Sequence, residues 1–483
     1  MTTKKPSAQA DSKHTNGIPP VPAWLHRHGW LSGGDLKNEV VQAEQEGRDL
    51  SRIRPKIAAL QAVEDAARDA AWFDRVRLLS AEIQSLPIRK GYAYEEPSDY
   101  AGILAARGKP RVEIKTYRGS QTHFREQLDA GWNARIVGCL LGKPIEGWSR
   151  DHIIGAARAT DNWPISGYFH YPTARAMKKL PADHPYRKHD ATHFKHRGMG
   201  ITNGMIEDDD TNYTVANFAI VKQYGANFTP ENVADFWLSE MPILHTCTAE
   251  RIAYRNLCNG YPPPVSAIVG NPYREWIGAQ IRADYFGYAN PGNPERAAAW
   301  AWRDASISHV KNGIYGEMWA AAAIAAAYVE HDPSRIIRAG LDQIPLKSRF
   351  HEDIERVLKL HADHADFDTA VEIIRTQWNE KSGDWCHTNS NAQLVTAAIL
   401  WNADSLNNAI GAVISCGFDT DCNGATVGSI LGIRNGILNL RPEWRAPIKD
   451  RITTGIAAYR TCTISLLSDE MATVARDCGG LVK

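Results

Sequence analysis

The sequence predicts an all-α protein. Apolar residues recur at steps of three and four over most of the chain, which is the spacing of one buried helix face. No convincing run of alternating apolar and polar residues, the pattern typical of strands, interrupts them. Alanine and glycine recur at helical spacing in several segments, which indicates close helix contacts. Helices joined by functional loops are therefore the expected architecture.

Composition and charge argue against several functional classes. The chain has 483 residues, with 55 Lys and Arg against 55 Asp and Glu, so it has no basic surplus for nucleic acid. Its hydrophobic share of 43% is typical of a folded protein. No uninterrupted apolar run reaches about 18 residues, and the eight cysteines form no CxxC pair. We expect a cytoplasmic protein that binds neither nucleic acid nor membranes, with an oligomeric state that the sequence does not indicate.

Three regions are expected along the chain. Residues 1–20 are polar and without periodicity, and we interpret them as a disordered tail. Residues 21–123 are interpreted as a helical extension and a turn-rich linker, in which Glu95 and Glu96 are expected to be solvated. Residues 124–483 are predicted to form the main body, which carries the chemistry.

The stretch CGFDTDCNGATVGSILGIRNG contains a row of regularly spaced glycines. Every fourth residue of its second half is glycine, so one side of the predicted helix lets another helix backbone approach closely. Each glycine disfavours a helix by roughly 1 kcal/mol relative to alanine, so the row requires a packing reason. Acidic residues begin this helix, where its dipole favours negative charge. The glycines are Gly424, Gly428, Gly432 and Gly436.

Two simpler interpretations of the acidic start compete with a functional one. The order Asp-x-Asp-x-Asn-Gly matches the opening of a calcium loop. That loop should end in a bidentate acid at its twelfth position, which is Ile430, so this interpretation fails. Simple helix capping needs only one carboxylate, which leaves the second of Asp419 and Asp421 unexplained.

A second predicted helix start carries Asp208, Asp209 and Asp210 ahead of Thr211. If the two starts converge, carboxylates about 4 Å apart repel by about 4 kcal/mol per pair at an effective dielectric near 20. A helix dipole stabilises a carboxylate at its N-terminal end by only about 0.3–1 kcal/mol. The cluster therefore requires bound protons or divalent cations. Oxygen ligands without clustered Cys or His favour Mg²⁺, Mn²⁺ or Ca²⁺ over zinc. Two such ions could orient substrate hydroxyls and activate a water.

Four segments, in a fixed order, carry a resemblance to a known family. They are GCLLGKPIE, DDDT, the Ser-His pair within ISHVKNGIYG, and GFDTDCNGATVG, with GAQIRADYFG and the HTN segment as looser matches. From about Gly131 to Trp444 the chain resembles the ADP-ribosylglycohydrolase family, which includes dinitrogenase-reductase-activating glycohydrolase and the ADP-ribosyl-acceptor hydrolases. The first segment is similar to the family's N-terminal signature, and the acidic segments are similar to its two metal motifs.

The resemblance implies a compact multi-helix fold with a centre of two Mg²⁺ or Mn²⁺ ions in a cleft. It also implies hydrolysis of the bond from ribose C1″ to an N- or O-linked group in a small-molecule or ADP-ribosylated substrate, through an oxocarbenium-like transition state. By position, the implied catalytic residues are Glu146, on a gating or acid/base loop, Asp209 and Asp419. The implied metal ligands are Asp208, Asp209, Asp210, Asp419, Asp421 and Cys422, and the implied substrate-binding residues are His309, Gly278, Arg282 and Asn423.

Three positions depart from the family's pattern. Cys422 stands where many relatives have a metal-coordinating Thr, and Asp208 stands where many have Thr or Ser. Cys139 replaces a frequent Asp. These changes would alter the charge and preference of the metal centre, and they leave a smaller riboside open as substrate. A metal-dependent lyase or hydrolase of another small metabolite, or a non-catalytic nucleotide-binding protein, remains an alternative.

Overall fold

The chain separates into two units at residues 90 and 91. The computed structural model describes residues 33–64, 67–200, 203–380 and 382–479. Contacts within each unit place the division between Lys90 and Gly91. The interpreted tail, residues 1–20, lies outside the described residues. Residues 91–123, which the sequence suggests as the end of an extension and linker, belong by their contacts to the larger unit.

The described residues of the smaller unit form three helices around an apolar core. Asp69 caps the third helix, because its carboxylate accepts a hydrogen bond from the Trp72 amide. Trp72, Val76 and Ile83 on that helix are buried against Leu36 of the first. The helices are α1 (Gly33–Gln45), α2 (Arg54–Gln61) and α3 (Ala70–Ser85).

Helices make up nearly all of the regular secondary structure in the described residues of the larger unit. Short 3₁₀ turns connect several of its helices, among them Lys143–Ile145 and Gln280–Arg282. Its helices are α4 (Tyr100–Ala106), α5 (Gln121–Gly142), α6 (Arg150–Ala159), α7 (Ala174–Met177), α8 (Pro185–Lys188), α9 (Ala191–His196), α10 (Asp209–Tyr224), α11 (Pro230–Glu240), α12 (Ala249–Cys258), α13 (Asp284–Tyr288), α14 (Pro294–Ala305), α15 (Asn312–Ala327), α16 (Pro333–Leu341), α17 (Arg349–Ala362), α18 (Phe367–Gln377), α19 (Thr388–Asn402), α20 (Leu406–Ser415), α21 (Thr420–Asn435), α22 (Pro442–Arg445) and α23 (Ile464–Asp477).

The prediction of an all-α protein is confirmed. The only strands among the described residues are β1 (Arg451–Thr453) and β2 (Thr461–Thr463), which pair antiparallel with Ile452 opposite Cys462. Three residues are too few for the alternation that predicts a strand, so the sequence gives no signal for this hairpin. Within the described part of the chain, no helix is both long enough and apolar enough to cross a membrane.

Helices α5 and α21 form the close backbone contact that the glycine row predicts. A β-carbon built on Gly424 would lie 2.5 Å from the carbonyl oxygen of Gly138, and one built on Gly432 would lie 2.7 Å from that of Ala130. Real β-carbons essentially never approach so closely, so this part of the prediction is confirmed. Gly436 is the exception, because it lies just past the end of α21 at φ +78° and terminates the helix.

The expectation that the side chain of Glu96 is solvated is wrong. Glu96 is buried, with 2% of its side chain exposed, and its carboxylate lies 2.8 Å from the Arg349 guanidinium. It also accepts a hydrogen bond of 2.9 Å from the Asn312 side chain. Arg349 forms a second ion pair, at 2.7 Å, with Glu275. The segment after residue 91 is therefore fixed to the body of the larger unit by a buried charge network, whose partners are distant in sequence.

Candidate metal centre

Three helix ends meet at one cleft in the larger unit. They are the C-terminal end of α5 and the N-terminal ends of α10 and α21, and the cleft has a volume of about 480 Å³. Carboxylates dominate its polar lining, and two tryptophans contribute much of its apolar lining. The lining residues are Lys143, Glu146, Glu207, Asp208, Asp209, Asn212, Leu244, His245, Cys247, Thr248, Trp276, Ile277, Gly278, Ile281, Trp385, Cys386, Asp419, Asp421 and Cys422.

A tight turn delivers Asp419 to the cleft. Gly417 and the buried Phe418 both have positive φ, 80° and 60°, immediately before it. A left-handed non-glycine residue is strained and is held only by its surroundings. The side-chain oxygen of Asn391 accepts a hydrogen bond of 3.2 Å from the Asp419 amide. Asp419 occupies the N-cap position of α21, yet its carboxylate forms no capping hydrogen bond among the described residues, so capping does not explain it.

Glu146 is carried by the loop that follows α5. The Gly147 amide donates a hydrogen bond of 3.3 Å to the Phe418 carbonyl, which joins this loop to the turn before Asp419. The Glu146 carboxylate lies 2.8 Å from the Arg197 guanidinium and keeps 32% of its side chain exposed. Partial burial and the negative charge of Asp419 raise the pKa of Glu146, although Arg197 opposes them. Glu146 therefore combines access to the cleft with a raised proton affinity.

The start of α10 presents two carboxylates that are already paired with cations. Asp208 caps the helix by accepting a hydrogen bond of 2.9 Å from the Asp210 amide, and it forms an ion pair with Lys143. Burial alone would raise the pKa of Asp208, but the Lys143 ammonium holds it below its usual value. Asp210 is fully buried 3.0 Å from Arg135, which also lies 2.8 Å from Asp284.

Burial raises the pKa values of three carboxyl groups in or beside the cleft. Burial raises the pKa of Asp209 well above its usual value, and the charge of Asp208 adds to this effect. Burial and the charges of Glu146 and Asp419 do the same for Asp421. Burial also raises the pKa of Asp210, although Arg135 opposes it. Without added positive charge, burial therefore favours the protonated forms of Asp209, Asp210 and Asp421.

Three groups of side chains bring possible metal ligands within 4.8 Å of one another. They are Glu146 with Asp419 and Asp421, Asp210 with Asp421 and Cys422, and Cys139 with Asp208 and Asp210. One oxygen each of Asp210 and Asp419 is buried without a hydrogen-bond partner among the described residues. Such orphaned acceptors and this oxygen-rich donor set fit a divalent cation. Asp209 lines the cleft but belongs to none of the three groups.

Comparison with known proteins identifies the family to which this chain belongs. The sequence model described as ADP-ribosylglycohydrolase matches residues 120–477. The chain belongs to the ADP-ribosylglycohydrolase family. A solved structure titled "ADP-ribosylglycohydrolase-related protein complex" is similar at 15% identity and a TM-score of 0.45, covering 74% of this chain and 99% of its own. No curated protein matches the chain.

The family assignment confirms the resemblance and the ADP-ribosylglycohydrolase-like, all-α fold that the sequence predicts. Members of this family are hydrolases that cleave glycosidic bonds, and they are typically metal-dependent. The carboxylate groups of the cleft agree with that requirement.

Of the four residues that the family resemblance assigns to substrate, Gly278 lines the cleft. Its lack of a side chain has a steric reason, because a β-carbon there would lie 2.6 Å from the Glu250 carboxyl carbon. Gly278 lies in one wall of the cleft, and Glu250 packs directly against it. Arg282 is fully buried behind this wall, where its guanidinium lies 2.8 Å from Glu250 and also pairs with Asp304. Arg282 therefore holds the wall from behind and does not reach the cleft surface.

His309 and Asn423 also lie away from the cleft surface. His309 is 1% exposed, its Nδ1 is 2.8 Å from the Ser308 hydroxyl, and it contributes to a separate, mostly apolar cavity. Asn423 is fully buried, and its amide donates a hydrogen bond of 2.7 Å to the side-chain oxygen of Asn391. Because the same oxygen accepts from the Asp419 amide, Asn423 contributes to the position of Asp419.

The cleft contains residues that sequence reasoning did not single out. Lys143 lies inside the GKPIE segment, but its pairing with Asp208 depends on the tertiary fold. Glu207 and His245 contact each other on the cleft wall, from segments 38 residues apart. The tryptophans, Trp276 and Trp385, follow from no spacing rule. The only sequence signal for them is their adjacency to Gly278 and to the HTN segment.

Proposed function

We propose that this chain is a divalent-metal-dependent glycohydrolase. It would cleave the bond from ribose C1″ to an N- or O-linked group in ADP-ribose conjugates or related ribosides. Family membership supports the class of reaction. The observation that carries the proposal is the meeting of two acidic helix starts in one cleft, with orphaned carboxylate oxygens beside it.

Charge balance supports the presence of divalent ions. Among the described residues, Glu146, Asp208 and Asp210 each pair with one cation, from Arg197, Lys143 and Arg135 respectively. Asp209, Asp419 and Asp421 pair with no Lys, Arg or His in the same set of residues. Three uncompensated carboxylates in one cleft repel strongly, and divalent ions both relieve that repulsion and use the same oxygens as ligands.

We propose two ion positions, taken by Mg²⁺ or Mn²⁺ as in the family. Glu146, Asp419 and Asp421 would hold one, and Asp210, Asp421 and Cys422 the other, so that Asp421 is the shared ligand. Asp208 would join the second position only by exchanging Lys143 for the ion. When bound, such ions supply orientation of the ribose hydroxyls and activation of a water.

The side chains of the cleft supply the remaining functions. Glu146 has the exposure and raised pKa needed to hold a proton for the departing group or to accept one from water. Asp209 lines the cleft with a raised pKa and is the second candidate for that role. Trp276 and Trp385, with ring centroids 6.5 Å apart, provide flat apolar surface for a planar portion of the substrate.

The test is release of the ribosyl product from a panel of substrates. ADP-ribosyl-arginine, ADP-ribosyl-serine and simple N-ribosides are incubated with Mg²⁺ or Mn²⁺, and products are separated by chromatography. We expect hydrolysis that requires metal and is lost in Asp419→Asn, while the exposed-surface variant Glu443→Gln retains it. Ribosyl products formed equally with EDTA would contradict metal dependence. Metal binding without hydrolysis of any riboside would favour action on another metabolite.

A cytoplasmic location and freedom from nucleic-acid partners stay part of the proposal. The eight cysteines are free in the structure, which suits a reducing compartment. The chain's net charge of zero supplies no electrostatic attraction to a polyanion. Fractionation of cells and a gel-shift titration at low salt test these two statements separately.

A further inference from the structure

The second ion position differs chemically from the first. Glu146, Asp419 and Asp421 offer oxygen atoms only, whereas Asp210 and Asp421 share their group with the sulfur of Cys422. Cys422 lines the cleft and is 6% exposed, so it is largely shielded from bulk solvent but stands where an ion in the cleft could bind it. A thiol at this place changes which ions the position binds.

We propose that the position formed by Asp210, Asp421 and Cys422 binds a borderline transition-metal ion, such as Zn²⁺, Co²⁺ or Fe²⁺, through the Cys422 sulfur. The position formed by Glu146, Asp419 and Asp421 keeps a hard ion. The centre is then heterobinuclear: Mg²⁺ or Mn²⁺ stays at the first position only, and the transition-metal ion takes the second position in place of the Mg²⁺ or Mn²⁺ of the proposed function. This inference rests on the metal centre of the proposed function but not on its substrate.

One observation besides the cysteine itself points to an ion at this position. One carboxylate oxygen of Asp210 is buried without a hydrogen-bond partner among the described residues, although the residue is fully enclosed. Arg135 occupies only the other oxygen of that carboxylate, at 3.0 Å. Asp210 therefore has an unpartnered, buried carboxylate oxygen, and one oxygen of the same carboxylate lies within 4.8 Å of the Cys422 sulfur.

Ligand chemistry decides the preference. Mg²⁺ binds oxygen ligands almost exclusively and gains little from sulfur, while Zn²⁺, Co²⁺ and Fe²⁺ bind thiolate well. On binding, the Cys422 thiol releases its proton to solvent, and its sulfur forms the bond to the ion, so no oxidant or reductant is needed. One thiolate beside two carboxylates is a mixed donor set, which suits a borderline ion better than a hard one.

Neighbouring thiols provide matched comparisons. Cys139 belongs to a different group, with Asp208 and Asp210, and there Lys143 already pairs with Asp208. Cys247 lines the same cleft but belongs to none of the three groups. Replacement of each of these cysteines by serine exchanges one sulfur for one oxygen, so the three variants differ only in which sulfur is removed.

The test is a titration of the full-length, reduced protein with Co²⁺ in the presence of excess Mg²⁺, followed by near-ultraviolet absorption. We expect a sulfur-to-cobalt charge-transfer band that saturates at one equivalent. Cys422→Ser abolishes the band and weakens Zn²⁺ binding, measured by calorimetry, by more than about tenfold, with a smaller change for Mg²⁺. Cys247→Ser keeps the band. Circular dichroism checks the fold of each variant, and Cys422→Thr replaces Cys422→Ser if the serine variant unfolds.

Two results would overturn the inference. No charge-transfer band in the parent protein means that the position binds through oxygen alone. A band that survives in Cys422→Ser and disappears in Cys139→Ser places the sulfur ligand in the other group. The outcome is separate from the proposed function, because the band requires no substrate. Riboside hydrolysis without a band leaves the function standing, and a band without hydrolysis leaves this inference standing.

Discussion

The backbones of Gly138 and Gly424 lie in direct contact where α5 crosses α21. A β-carbon on Gly424 would lie only 2.5 Å from the Gly138 carbonyl oxygen and 2.9 Å from its carbon. This contact sets the separation of the two helices whose ends carry Glu146, Asp419 and Asp421. The Thr420 hydroxyl strengthens it by donating a hydrogen bond of 2.9 Å to the Gly142 carbonyl. The geometry of the metal centre therefore depends on residues without side chains.

Adding a methyl group to this contact should destabilise the protein. Alanine improves helix propensity by roughly 1 kcal/mol over glycine, but overpacking a rigid backbone contact costs about 1–3 kcal/mol or more. We expect Gly424→Ala to lower the free energy of unfolding, measured by urea denaturation. Gly155→Ala is the matched control, since Gly155 is helical with nothing within 4 Å of its built β-carbon, and it should be neutral or stabilising. Equal stabilisation by both changes would contradict the contact.

Neutralising Asp421 should have opposite effects on stability and on metal binding. Its raised pKa means that the folded protein favours the uncharged form, so Asp421→Asn should stabilise the metal-free protein at neutral pH by on the order of 1–3 kcal/mol. The same change removes the ligand shared by the two ion positions. Thermal unfolding in EDTA and in Mn²⁺ checks both effects. A variant that is destabilised in EDTA and still protected by Mn²⁺ would contradict this account.

The ion pair between Lys143 and Asp208 should contribute most to the stability of the fold when no metal is bound. Breaking a buried ion pair by removal of one partner costs about 3–5 kcal/mol, and Asp208 is buried beside Lys143 with 18% of the lysine side chain exposed. We expect Lys143→Met to be strongly destabilised in EDTA and rescued by divalent ions. Lys143→Met combined with Asp208→Ser should recover stability, because serine retains an acceptor for the helix cap. If the double variant is no more stable than Lys143→Met in EDTA, the pairing is not what stabilises this corner of the cleft.

Acid should destabilise the protein through His387. Burial lowers the pKa of His387 to about 4, although the Glu275 carboxylate opposes this. As the pH falls, the unfolded chain therefore binds a proton at His387 before the folded protein does. The stability that neutral His387 contributes is fully present above about pH 6.5 and is lost as the pH falls toward 4. Each pKa unit is worth about 1.4 kcal/mol, which gives a loss of about 3 kcal/mol from this group.

The variant His387→Asn should flatten that dependence. Asparagine can still accept the hydrogen bond that His387 Nδ1 takes from the Asn389 amide at 3.1 Å, while it cannot be protonated in this range. Urea unfolding between pH 7 and pH 4 measures how steeply the free energy of unfolding falls with pH. The variant His331→Asn, at an exposed histidine, is the control. An unchanged slope in His387→Asn would assign the acid sensitivity to other groups.

The fold and the acidic part of the site follow from local patterns. Glycine at every fourth residue predicts a close helix contact, and Gly424 and Gly432 make it. Carboxylates ahead of apolar helices predict acidic helix starts, and the structure brings Asp209 and Asp419 to one cleft. The sequence carries these signals because side chains repeat with a regular period along a helix and the two ends of a helix have opposite partial charges.

The compensating charges do not follow from local patterns. Glu96 looks solvated in the sequence because its partners Arg349 and Asn312 are more than 200 residues away. Arg282 and His309 stand in segments that match the family, yet the structure buries both behind the cleft wall. Which side of an element faces the cleft depends on tertiary packing, and spacing along the chain does not encode it.

A calorimetric titration of the metal-free protein with Mn²⁺, with and without ADP-ribose, tests metal-dependent glycohydrolase activity at its metal centre. We expect two bound ions per chain, tighter binding when ADP-ribose is present, and loss of one of the two ions in Asp419→Asn. Metal binding that ADP-ribose leaves unchanged would move the search to other metabolites. No heat of metal binding, under conditions in which the protein is folded, would contradict the metal-dependent glycohydrolase.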